Sequence, residues 1–150
     1  MGCGLLLRMQ TPLLPRVPLH LLSLALEASW DRRTAYSGAH RPGNPALGQC
    51  YPTSRVVQWF FPRFEIASGL VNTGSQLEAH FWNIDPGCAS VEHVDLTWKQ
   101  FADGSKVAHL KIMDRHTLND SPPTIARCEL LLERVLERLK AAGICLKSRI

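Results

Sequence analysis

Apolar positions recur at helical spacing near both ends of the chain and alternate with polar ones in its middle. Leu19, Leu22, Leu26 and Trp30, with Ala25 alongside, predict a first helix whose apolar stripe is widened by Leu21 and Leu24. Turn formers follow at Ser37-Gly38 and Arg41-Pro42-Gly43-Asn44-Pro45, and they deliver the chain to Gly48-Gln49-Cys50. Val56, Val57, Phe60 and Phe61 predict the buried face of a second helix over Pro52–Phe61, stopped by Pro62. Phe64–Leu70 reads as a strand, with Phe64, Ile66 and Ser68 alternating against Glu65 and Ala67. Leu77–Ile84 and Val91–Leu96 read as a hairpin, and Val107–Ile112 as a weaker strand. After a break at Asn119–Pro123, Thr124 is placed to cap a closing helix that runs to about Ala142 and stops at Gly143. Its apolar face is Ile125, Cys128, Leu131, Leu132, Val135, Leu136 and Leu139. The pattern predicts an α+β fold, a small antiparallel sheet flanked by N- and C-terminal helices.

The hairpin carries the most chemistry. If it is centred between Gly87 and Cys88, His80 stands directly opposite Asp95. Facing residues share one side of a sheet with Cβ atoms about 4.5–5.5 Å apart, within reach of an imidazole–carboxylate hydrogen bond. A slip of one residue would send the two to opposite faces.

Cys50 opens the second helix, where unpaired N–H groups and the positive end of the helix dipole favour a thiolate. Pro52 suits the same first turn, since its missing N–H is not needed there. Cysteine, histidine and aspartate then supply a nucleophile, a base and a group to orient the base. Gln49, beside the Cys50 N–H, is a candidate oxyanion donor, and Asn44 is its rival. Trp82 reads as a core or pocket-wall residue, and Asn83 as either a substrate contact or a strand-end turn residue. His93 competes with His80 because it shares a strand face with Asp95. His40, His109 and His116 lie in weaker contexts.

Composition narrows the class. A chain of 150 residues, 45% apolar and 20% charged, suits one soluble domain with a real core. Of 17 basic residues, Arg8, Arg16, Lys147 and Arg149 lie outside Leu19–Lys140, which leaves 13 against 13 acidic ones. The domain is therefore neutral, and a nucleic-acid footprint is not expected. Residues 1–18 read as a disordered extension, 19–142 as the domain and 143–150 as a basic tail. Pro12, Pro15, Pro18 and the interrupting arginines do not fit a signal peptide, and no apolar run reaches membrane-span length. Five irregularly spaced cysteines without a Cys-x-x-Cys pair suggest neither a disulfide framework nor a zinc ribbon. Reduced thiols and a cytoplasmic location follow as the simplest expectation. Cys88, Cys128 and Cys145 read as a turn thiol, a core residue and a tail residue.

Ala28-Ser29-Trp30, Thr34-Ala35-Tyr36, Asn44-Pro45, Gly48-Gln49-Cys50, His80-Phe81-Trp82-Asn83 and Val94-Asp95-Leu96-Thr97, with Gln100-Phe101, come in that order. With Ala126-Arg127-Cys128-Glu129-Leu130-Leu131 and Arg134-Val135 in the closing helix, the series resembles the YunG-like family of small bacterial proteins over about Leu24–Leu139. The resemblance implies a fold similar to the papain and transglutaminase group, with Cys50 as nucleophile, His80 as base and Asp95 as its orienter. An aromatic is expected in the family's closing helix where Cys128 stands, and residues 1–18 have no counterpart.

The sequence thus points to a thiol enzyme of acyl transfer acting on an unidentified peptide or amide, as peptidase, deamidase or transglutaminase-like transferase. A non-catalytic binding domain on the same scaffold is the alternative. Zinc held by Cys50, His80 and His93 is a third reading, but ligands so scattered carry little weight, and no metal or cofactor is expected.

Overall fold

The computed structural model describes residues 17–87 and 90–144. Three helices, α1 (Leu19–Ser29), α2 (Cys50–Phe60) and α3 (Pro122–Ala141), accompany four strands. These are β1 (Glu65–Asn72), β2 (Leu77–Asp85), β3 (Glu92–Val94) and β4 (Lys106–Ile112), in one antiparallel sheet of order β3-β2-β1-β4. The fold is α+β. Helix α1 packs on α3, α3 on α2, and α2 on β2 and β1. Leu22, Leu26, Val56, Val57, Leu131, Leu132 and Val135, all fully buried, form the centre of the core between the helices.

Most elements match the apolar pattern, and the differences have local causes. Helix α2 begins at Cys50 itself, two residues earlier than expected, because Pro52 still falls within the first turn. Ser121, not Thr124, caps α3: its Oγ accepts from Thr124 N–H at 3.4 Å, and the two prolines occupy the opening helical positions. The expected alternation of β1 fails at Ile66 and Ala67, which are both buried. β1 lies between β2 and β4, and Ala67 joins a second small cluster with Trp82 and Ile84 on the opposite face. Val17, assigned by sequence to the extension, is buried in the core, and Ile144 packs against it. Residues 1–16, the turn residue Cys88 and the tail beyond Ile144 lie outside the described residues.

The hairpin register departs from expectation by two positions. Asn83 pairs with Val94, Ile84 with His93 and Asp85 with Glu92. Continued past Val94, that ladder would set Thr97, not Asp95, across from His80. A two-residue shift preserves which side each residue faces, so the predicted pair survives as a diagonal one. β3 ends at Val94 because the Asp95 carboxylate captures the Thr97 N–H (3.2 Å) and turns the chain.

One polar cluster is buried under α2. Arg55 pairs with Asp120 at 3.0 Å with both side chains at most 7% exposed, and the Tyr51 hydroxyl donates to the same carboxylate. Burial, then the Asp120 carboxylate, raises the Tyr51 hydroxyl far above its usual range. No helix among the described residues is long and apolar enough to cross a membrane.

Candidate active site

The loop ahead of α2 is fixed from three directions. Gly48 has φ +78°, and a Cβ there would meet Ala35 Cβ and Tyr36 N at 3.2 Å, so a side chain is excluded on both counts. Its carbonyl accepts from Tyr36 N–H at 2.8 Å. Gln49, fully buried, accepts from Thr34 Oγ1 at 2.9 Å and donates to the Asp31 carbonyl at 3.0 Å. Trp30 Nε1 donates to Thr53 Oγ1 at 3.0 Å in the first turn of α2. These bonds hold Cys50, whose thiol is partly exposed, at the N-terminal end of the helix.

His80 comes from β2. β3 pairs only with Asn83–Asp85, so beside His80 the strand has no β3 neighbour, and the segment leaving β3 folds there instead. His80 is fully buried. Trp82 stacks on its ring at 5.5 Å and 20°, while Trp98 and Phe101 meet it edge-on. Its Nε2 lies 2.6 Å from Asp95 Oδ2, and the other carboxylate oxygen accepts from Thr97 N–H. An ionised carboxylate only accepts, so Nε2 carries the hydrogen and Nδ1 is left for the thiol.

The electrostatics join the three groups. Burial pulls the imidazole pKa down, but the hydrogen bonds and negative charges of Asp95 and Cys50 outweigh it and raise His80 to about 9. Cys50 is thus one of the two charged groups that raise the ring's pKa. The structure joins His80 to Asp95, 15 residues away, and Cys50 at the start of α2 is among the groups that raise the ring's pKa.

The other sequence candidates have different positions. The Gln49 amide is engaged with Asp31 and Thr34, which makes it a tie between α1's end and α2. Asn44 Nδ2 donates to the Gln100 carbonyl at 2.9 Å, linking the Cys50 loop to the turn beside His80. Asn83 is buried and donates to the Ser54 carbonyl at 3.0 Å, which fastens β2 to α2. Trp82 is a wall of the imidazole's surroundings, its Nε1 donating to His93 Nδ1 at 2.9 Å. His93 is exposed and occupied by that bond, so it does not compete for Asp95. Among the described residues no group of three or more His, Cys, Asp or Glu stands arranged to hold a metal ion.

A cleft of about 460 Å³ lies on the Asp95 side of the pair, lined by Trp82, His93, Asp95, Trp98, Val107 and Leu110. Burial, followed by the Asp120 charge, pushes the Cys128 thiol up to about 12.

Sequence reasoning missed Gln100, whose Nε2 stands 3.4 Å from His80 Nδ1. It also missed the roles of Trp98 and Phe101, whereas a bond from the Asp95 carboxylate to Thr97 is a reading the sequence offers. Their sequence signal is their place in the few residues after Asp95 and, for Gln100-Phe101, in the family motif, while the contacts that matter are made with a distant strand.

No curated protein and no solved structure matches the chain. The family model described as YunG protein matches residues 18–140, from just before α1 almost to the end of α3. The chain belongs to the YunG family.

Proposed function

We propose that this protein is a thiol-dependent acyl-transfer enzyme with Cys50 as nucleophile, His80 as base and Asp95 as the group that orients it. The observation that carries the reading is the 2.6 Å Asp95–His80 hydrogen bond; Cys50, at the start of α2, supports it as one of the groups that raise the imidazole pKa. Asp95 keeps hydrogen on Nε2, so the proton the thiol gives up sits on Nδ1, and a ring raised to about 9 holds it there at neutral pH. The thiolate then attacks a carbonyl carbon, and the π pair moves to oxygen. The imidazolium returns its proton to the departing amine as the C–N bond breaks, leaving a thioester on Cys50. Water or a second amine attacks that thioester, giving hydrolysis or transfer. No cofactor enters this cycle.

A cysteine at a helix start, served by histidine and aspartate from the sheet and the segment after it, is similar in plan to the papain and transglutaminase group. The substrate class is a peptide or amide. The folded domain's balanced charge gives no reason to invoke nucleic acid. A nucleophilic thiol works in a reducing compartment, and we assign the protein to the cytoplasm on that ground.

Iodoacetamide at mildly acidic pH tests the reading. Cys50 should alkylate faster than every other cysteine, with Cys128 silent, and His80→Ala should slow Cys50. Equal labelling of Cys50 and the remaining thiols would remove the support for an activated nucleophile.

A further inference from the structure

Acyl transfer through a tetrahedral intermediate needs hydrogen-bond donors for the developing oxyanion. The Cys50 N–H, in the first turn of α2, is one. The amides of Gln49 and Asn44 are engaged, with Asp31 and Thr34 in one case and the Gln100 carbonyl in the other. The amide of Gln100 is differently placed. Its Nε2 lies 3.4 Å from His80 Nδ1, 3.2 Å from the Thr97 carbonyl and 3.3 Å from Thr97 Oγ1. A carbonyl only accepts, so the Thr97 contact fixes which end of the amide is nitrogen. Two hydrogens face three acceptors, and the imidazole nitrogen is the most distant of them.

That nitrogen accepts only while it is unprotonated. Once Nδ1 takes the thiol proton, it becomes a donor, and the Gln100 hydrogen aimed at it has no partner there. At that same stage the thiolate is ready to attack, and the carbonyl oxygen acquires charge beside the same ring. We propose that Gln100 is the side-chain oxyanion donor of this site, its hydrogen left without a partner on the ring whenever Nδ1 is protonated. The Asn44–Gln100 bond ties the turn carrying this amide to the loop carrying Cys50, so donor and nucleophile share one frame. The assignment rests on the acyl-transfer reading above.

The test compares two electrophiles on full-length wild type, Gln100→Leu and Gln100→Met. Iodoacetamide is attacked at a saturated carbon and forms no oxyanion. With p-nitrophenyl acetate, sulfur bonds to the carbonyl carbon and the π pair moves to oxygen. That pair returns as the ester C–O bond breaks, and p-nitrophenolate departs while the thiol proton stays on His80. Both variants should lose about 10²- to 10³-fold in acylation, the cost of one oxyanion donor, yet alkylate at the wild-type rate. Alkylation at that rate also shows that the Cys50–His80 pair is assembled. If Leu does not fold, Met, which is close to glutamine in length, uncharged and without an amide hydrogen, carries the test.

Wild-type acylation in both variants would overturn the assignment and leave the acyl-transfer reading intact. A parallel fall in both reactions would overturn it too, showing that Gln100 only orients His80. A wild-type protein that never acylates would sink the reading and the assignment together.

Discussion

His80 Nε2 and Asp95 Oδ2 lie 2.6 Å apart, although the β2–β3 ladder does not set these residues opposite each other. The contact is made by a side chain reaching diagonally past the end of β3, at the point where Asp95 turns the chain. Asp95 therefore does two things: one oxygen takes the imidazole, the other takes the Thr97 N–H. Asp95→Asn should keep the turn but present the ring with a neutral partner. The imidazole pKa should fall by at least about one unit, equivalent to about 1.4 kcal/mol of lost interaction. Cys50 alkylation at pH 6 should slow about tenfold or more in consequence. Histidine titration by NMR and alkylation kinetics measure the two effects separately.

The raised pKa of His80 has a signature in stability. The folded value of about 9 stands above the ordinary 6.5. The charged ring's stabilisation should thus be complete below about pH 6.5 and be lost as the pH climbs through about 9. The ionisable groups against the ring are Asp95 and Cys50; Trp82, Trp98 and Phe101 bring no charge. Urea midpoints between pH 6 and 10 should fall more steeply in the wild type than in His80→Gln.

Arg55 and Asp120 stabilise the helix that carries Cys50. Asp120→Ala should cost about 3–5 kcal/mol, since it strands a buried guanidinium. It also removes the acceptor of the Tyr51 hydroxyl. Tyr51→Phe removes one hydrogen bond and should cost about 1 kcal/mol. Denaturant unfolding of both variants gives the comparison.

Gly69 is the one position in β1 where the sheet tolerates no side chain. A Cβ would meet the His109 carbonyl at 2.3 Å and the Trp82 ring at 2.8 Å. Gly69→Ala should cost about 1–3 kcal/mol by overpacking. Because Trp82 stacks on His80, it should also slow Cys50 labelling in protein that is still folded.

The helices and strands were legible because their apolar periods are strong, and the place of Cys50 at a helix start was legible because Gly48-Gln49-Cys50 meets an apolar helical run. Facing positions in a hairpin brought His80 to Asp95 even though the register was two residues off. That error was harmless because the sheet's side-to-side period is two. Side-chain commitments were not legible. Gln49 beside the nucleophile reads as a donor to substrate, yet its hydrogen bonds run to Asp31 and Thr34, 18 and 15 residues earlier. Gln100 stands in the family motif with no legible role until the β3–β4 connection folds against β2. The buried Arg55 could not be distinguished from a solvated one without knowing that Asp120 returns to it.

The most direct test is an NMR titration of the His80 imidazole in wild type and in Cys50→Ser. If the three side chains act as one unit, the wild-type midpoint lies near 9 and drops when the sulfur is replaced. A midpoint at the ordinary histidine value, unmoved by the substitution, would contradict the account.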